Sequence, residues 1–249
     1  YRPEAMADAA RKAEEAGAFL IDINMGCPVR KIAQKGGGSG LLKEPILAAE
    51  IVNKVVQAVQ IPVTVKTRLG WCKQSSNTVK FARMMEDSGA QLLTLHGRTR
   101  EEKFSGSANW EAIGEVKAAI NIPVIANGDI KSPEDALLCL KNSGADGVMI
   151  GRGSMGSPWL VGQIDSALRG GPVIKTPEPK IRVKLALDQL KALVKCKGDH
   201  GLLIARKHMN WTCRGFDGAS ELRQSLMKAQ TPNEAKILLN LQLQEFNKL

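Results

Sequence analysis

Five places along this chain put chemically capable side chains within a few residues of each other: Asn24 and Cys27, Lys66 and Arg68, His96 and Arg98, Asn127 and Asp129, Gly151 and Arg152. A thiol, an ammonium and an imidazole are residue types that move protons or hold charge at a reacting centre. Glycines beside one arginine, as in Asn127-Gly128-Asp129 and Gly151-Arg152-Gly153, let backbone N–H groups approach a phosphate. Any one of these is weak evidence, since a lone lysine is more often a solvated rim residue and a lone histidine can be a satisfied core group. Cys27 has three readings. A buried structural thiol would be inert. A nucleophile would want a histidine base, and no sequence feature supplies one. A general acid fits the ordinary cysteine pKa of about 8.5, which keeps the thiol protonated at neutral pH.

The elements that must carry these residues follow from hydrophobic patterning. Strands are predicted at 19–26, 62–69, 91–96, 123–127 and 146–151, alternating with helices at 3–17, near 44–60, near 76–88, near 109–119 and at 133–142. Pro28 has no N–H for a sheet ladder, so the first strand must stop ahead of it. The strand-end residues 66, 96, 127 and 151 are spaced by 30, 31 and 24, the spacing of βα units with a parallel sheet. Polar residues at every strand end favour a (β/α)8 TIM barrel over a doubly wound sheet, because barrels keep their chemistry on that face. A barrel needs eight strands and five are counted. The chain opens on a helix without an initiator methionine, so the first three strands are expected to be absent from it.

No run of apolar residues is long enough to span a bilayer, and no membrane partner is expected. The five cysteines (27, 72, 139, 196, 213) form no CxxC pair, and three histidines give a metal cluster little to build on. Unpaired cysteines suit a reducing, cytoplasmic compartment. The net charge of +10 is uneven: residues 1–174 carry +3 and residues 175–249 carry +7. After Gly170-Gly171-Pro172 and Thr176-Pro177-Glu178-Pro179, amphipathic helices are predicted at 180–197, 201–213, 219–228 and 232–247. Within them Arg206-Lys207-His208-Met209-Asn210-Trp211 interleaves basic groups with an aromatic, as a phosphate-tracking helix does. A solvated face packed by Trp211 is an equal alternative. Residues 30–42, basic and glycine-rich, read as a lid, a phosphate clamp or a flexible linker; no Gly-Lys-Ser/Thr makes them a Walker loop.

Asn24-Met25-Gly26-Cys27-Pro28-Val29, with Lys66-Thr67-Arg68-Leu69-Gly70-Trp71, Leu95-His96-Gly97-Arg98-Thr99, Asn127-Gly128-Asp129-Ile130 and Gly151-Arg152-Gly153, resembles the tRNA-dihydrouridine synthases, and the bacterial B-type branch most. The resemblance implies a partial FMN-binding barrel over 1–170, a linker at 171–179 and a helical tRNA-binding domain at 180–249, acting as a monomer. The implied reaction is reduction of the C5=C6 bond of a tRNA uridine to 5,6-dihydrouridine, with NADPH or NADH as reductant. Carried over by position, Cys27 is the proton donor. Lys66, His96, Asn127, Gly128, Asp129, Gly151 and Arg152 are FMN contacts. Asn24, Arg68, Arg98, Arg206, Lys207 and His208 face uracil or RNA, and no metal is involved. Gly40 departs from the family, which usually has alanine there. Two other readings stand beside this one: a related FMN barrel oxidoreductase on a small pyrimidine, and a non-catalytic tRNA-binding fragment.

Overall fold

The computed structural model describes residues 1–74 and 77–248. It has two compact units, Tyr1–Ile130 with Glu134–Gly151, and Lys131–Pro133 with Arg152–Leu249. The first is α/β. Five strands, β1 (Ile21–Asn24), β2 (Val63–Arg68), β3 (Leu93–His96), β4 (Val124–Asn127) and β5 (Gly147–Met149), run parallel in the order β1-β2-β3-β4-β5. Among the described residues this sheet is open and no ring of strands is closed. The helices α1 (Pro3–Glu15), α2 (Arg30–Ala33), α3 (Pro45–Ala58), α4 (Thr78–Asp87), α5 (Trp110–Lys117) and α6 (Pro133–Ser143) intervene. The helix predicted near 76–88 begins at Thr78 here, and its residue 76 lies outside the described set.

Strand register sorts the side chains into two faces. Ile21 pairs with Val63, Val65 with Leu93, and Leu93 with Val124, so one face is apolar. Those residues, with Ile23, Leu95 and Ala126, pack toward Ile51, Val52 and Val55 of α3, Phe81 and Met85 of α4, and Ile113 and Val116 of α5, nearly all fully buried. Each such side chain stabilises the fold by roughly 1.5–3 kcal/mol on burial. The opposite face is polar. Asp22 pairs with Thr64, Asn24 with Lys66, Lys66 with Thr94, and Arg68 with His96, which pairs in turn with Asn127. Two expectations are corrected here. The first strand is shorter than 19–26, and Phe19, 91% exposed, precedes the ladder instead of lying in a buried strand. Residues 30–42 are not an unstructured loop but α2 followed by a 3₁₀ segment, Gly38–Lys43. Gly40 has a local reason for its identity, since a Cβ there would sit 2.5 Å from the Ala33 carbonyl oxygen.

The second unit is helical: a 3₁₀ turn (Arg152–Ser154), α7 (Leu160–Leu168), α8 (Pro179–Lys197), α9 (His200–Thr212), α10 (Ala219–Lys228) and α11 (Pro232–Glu245). Residues 171–178 between α7 and α8 have no regular structure. Val183, Leu187, Leu190, Leu202, Met209, Leu226 and Leu239 form its core, with Phe216 edge-on to Phe246. At α11 the Thr231 hydroxyl accepts from the Glu234 N–H, and the Glu234 carboxylate accepts from the Gln230 N–H. This is a capping arrangement that satisfies donors the helix cannot. Gly156 lies so close to Trp211 that a Cβ would meet it at 2.6 Å, so only glycine fits there.

Candidate active site at the strand ends

The turn after β1 is held from both sides. The Asn24 Oδ1 accepts from the Gly26 and Cys27 N–H groups, each at 3.0 Å. Downstream, the Cys27 carbonyl accepts from the Ser39 N–H at 3.1 Å and from the Ser39 hydroxyl at 2.8 Å. Gly38, at φ +54°, packs against Cys27 so closely that a Cβ would come within 2.9 Å of the cysteine's own. Cys27 is thereby presented half-buried on a short, tethered turn. Ser39 was not singled out from sequence; a serine between glycines just after a candidate cysteine was the available signal. The other cysteines sort differently: burial pushes Cys139 up to about 11 and Cys213 up to about 12, which leaves both as inert thiols.

Two arginines at the strand ends are enclosed. Arg68, 4% exposed, donates from Nε to the Gly26 carbonyl at 2.8 Å and from one terminal nitrogen to those of Thr99 and Lys103. It knots the Cys27 turn to the loop after β3. Arg98, 1% exposed, donates to both carboxylate oxygens of Asp129 and to the Ser105 and Gly106 carbonyls. The Asp129 carboxylate also accepts from the Ala108 N–H at 2.8 Å. The loops after β3 and β4 are thus pinned together, and Trp110 adds a bond from its indole N–H to the Gly128 carbonyl at 3.0 Å.

Lys66 and His96 are held less completely. The Lys66 ammonium donates to the Asn127 Oδ1 at 3.1 Å, and the Asn127 amide N–H donates to the Met149 carbonyl at 2.8 Å. Burial lowers the Lys66 pKa, Arg68 lowers it further, and Asp22 opposes. His96 is 6% exposed, edge-on to Phe104, and its Nδ1 is buried without a hydrogen-bond partner among the described residues. Burial, then Arg68, Lys66 and Arg98, push its pKa down to about 3, so the imidazole is neutral at physiological pH. A neutral imidazole can donate from one nitrogen and accept at the other. Gly128, at φ +122°, has a conformation few other residues adopt, whereas Gly151 has open space where a Cβ would be.

Next to Cys27, beginning at Pro28, opens a pocket of about 920 Å³ lined in part by Arg30, Lys43, Trp71, Arg100, Lys103 and Phe104. The Lys43 ammonium and the Arg100 guanidinium each lie 4.4 Å from the Trp71 ring centre.

The basic residues of the second unit are placed as follows. Arg152 opens the 3₁₀ turn. On α9, Arg206 donates to the Ala229 carbonyl at 2.7 Å, Lys207 is exposed, and His208 lies edge-on to Trp211. Arg214 and Arg223 donate to the carbonyls of Asn210 and Cys213. Among the described residues no cluster of His, Cys, Asp or Glu could hold a metal ion, and no helix is long and apolar enough to cross a membrane.

Comparison with known proteins identifies the family. The family model described as "Dihydrouridine synthase (Dus)" matches residues 1–248. A protein from Synechocystis sp. (strain PCC 6803) named "Probable tRNA-dihydrouridine synthase 1" is 52% identical over 239 residues, 96% of this chain and 67% of that protein. One from Rickettsia bellii, "Probable tRNA-dihydrouridine synthase", is 43% identical over 94% of this chain and 72% of its own. "tRNA-dihydrouridine synthase B" of Pseudomonas putida is 44% identical over 88% of this chain and 65% of its own. The chain spans about two thirds of the length of these relatives. With a family model matched along nearly the whole chain, this protein belongs to the dihydrouridine synthase family.

Proposed function

We propose that this protein is a tRNA-dihydrouridine synthase, which reduces the C5=C6 bond of a tRNA uridine, and that its open sheet is part of an eight-stranded (β/α)8 barrel. The domains we assign are a barrel portion over 1–170, a linker at 171–179 and a tRNA-binding helical domain at 180–249. The observation that carries the reading is the pairing of a tethered, half-buried Cys27 with the under-satisfied Lys66 and His96 at one end of the sheet.

The residues fit an FMN. His96 presents a buried ring nitrogen without a partner among the described residues, Lys66 a cation, and the backbone at Gly151 open space of the kind that phosphate contacts need. Lys66 and His96 would hold the ring system, and Asn127 to Asp129 with Gly151 and Arg152 the phosphate. The Asp129 carboxylate is neutralised by Arg98, so this loop contributes through its backbone. When bound, FMN reduced by NADPH or NADH would supply the hydride.

The C5=C6 bond of uracil is conjugated to the C4 carbonyl, so hydride addition at C6 builds negative charge toward C5. The Cys27 Sγ–H then donates its proton to C5, and the thiolate left behind is reprotonated from solvent. Asn24 and Ser39 hold the thiol at a fixed distance from the sheet end. Lys66 and Arg68 make that end electropositive, which suits an electron-rich ring, and the neutral His96 can offer it a hydrogen bond. The basic helices, Arg206, Lys207 and His208 among them, grip RNA around a uridine that has left its stack. The setting is cytoplasmic and the active form a monomer.

The test is direct. The purified protein should be yellow and should raise dihydrouridine in uridine-bearing tRNA. Cys27→Ala should lose about 10²–10⁴-fold in turnover while keeping flavin and tRNA affinity. Unchanged turnover in that variant would remove the proton-donor assignment. Insensitivity to salt, with turnover of a free pyrimidine, would favour the small-substrate reading.

A further inference from the structure

We propose that the pocket around Trp71 is a second nucleotide subsite, which takes an unpaired nucleotide of the RNA substrate next to the uridine that reacts; the proposal rests on the uridine-reductase reading above. Three observations carry it. The pocket starts at Pro28, one residue from Cys27, so whatever occupies it is a near neighbour of the reacting base. It is lined by four cations, Arg30, Lys43, Arg100 and Lys103, against the single carboxylate of Glu44. Among them lies the flat indole of Trp71 with two cations over it at 4.4 Å, and the Arg100 Nε is buried without an acceptor among the described residues.

A planar apolar surface ringed by positive charge matches a base with its attached phosphate. Lys43 is exposed and Arg100 only half-buried, so Lys43 is the group a stacking base displaces. Its ammonium would then have the nucleotide's phosphate as its partner. The volume, about 920 Å³, lies in the range of sites for nucleotide-sized ligands. Exposed Arg30, Lys31 and Lys35 continue the positive surface along α2 and the turn after it, a path for a polynucleotide that runs on past the pocket. The chemistry also calls for such a place. When one base is extracted its neighbours lose stacking, and an aromatic platform restores it.

The measurement is equilibrium binding of unmodified tRNA, without turnover, to the whole protein and its variants, together with the KM for NADPH. Trp71→Ala should weaken tRNA binding about tenfold, and Trp71→Phe should retain most of it. Lys43→Ala with Lys103→Ala, both exposed, should lower the slope of log affinity against log salt by about 1 with an unchanged melting curve. The KM for NADPH should not move. The proposal is overturned if Trp71→Ala, with an unchanged melting curve, binds tRNA within twofold of wild type. Should Trp71→Ala fail to fold, an unchanged salt slope in the double lysine variant overturns it instead. A raised KM for NADPH with normal tRNA binding also overturns it and assigns the pocket to the reductant. A protein that makes no dihydrouridine yet needs Trp71 for tRNA binding supports the subsite and sinks only the reductase reading.

Discussion

Arg68 and Arg98 stand at the same end of the same sheet as Lys66 and His96, yet the two pairs are treated in opposite ways. Each arginine is enclosed by acceptors: three carbonyls around Arg68, and a carboxylate plus two carbonyls around Arg98. Lys66 has one amide oxygen, and the His96 ring leaves a buried nitrogen unmatched. A buried polar group without a partner costs free energy, and natural proteins keep few of them. Where enclosure is complete the residue is scaffold, joining loops that the chain brings from far apart. Where it is incomplete, hydrogen-bonding capacity remains that a ligand would use. Four positively chargeable side chains, in two pairs each two positions apart, therefore divide into two that would build the site and two that would use it.

The largest effect that could break this division is on stability. Arg98→Ala leaves Asp129 without its cation beside a buried loop and should cost about 3–5 kcal/mol in urea unfolding. Arg68→Met strands the carbonyls of Gly26, Thr99 and Lys103 and should cost about 2–3 kcal/mol, read by the same unfolding curves. A pH titration sharpens the other side. His96 is depressed from 6.5 to about 3, so it binds its proton more readily unfolded. Its contribution is present above pH 6.5 and is lost as pH falls toward 3, with a slope of at most about 1.4 kcal/mol per pH unit. His96→Asn should flatten that segment of the stability profile. The smallest change is expected for Lys66→Met, which removes a partly desolvated charge and should shift unfolding by less than about 1 kcal/mol while flavin is retained poorly. A loss there as large as for Arg98→Ala would dissolve the distinction.

Much of the first unit was legible from sequence because its signals are local. The βα spacing, the order of the strands and the clustering of polar residues at positions 24, 66, 96 and 127 all follow from short-range patterning. Ser132 ahead of Pro133 and Thr231 ahead of Pro232 likewise announce helix starts that the structure has at Pro133 and Pro232. What sequence could not show was which arginines are enclosed. The partners of Arg68 lie 42, 31 and 35 residues away, and those of Arg98 include Asp129, 31 residues away. The first strand is shorter than the predicted 19–26 because apolar Phe19 and Leu20 are exposed, and burial depends on neighbours that sequence does not name. The glycine-rich segment hid a 3₁₀ turn whose purpose, to clamp the Cys27 carbonyl through Ser39, exists only once the turn folds back.

By itself, then, the sequence determined the alternation of elements, the parallel sheet and the set of side chains available at its polar end, because hydrophobic period and turn chemistry act within a few residues. The tertiary structure decided the roles. Register put Asn127 within reach of Lys66, loop packing closed carbonyls around Arg68 and Arg98, and burial beside three cations made His96 neutral. Each of these is a property of distance in space, set when loops some 30 residues apart in sequence meet, and it is that meeting which separates the residues holding the site from those left open to a ligand.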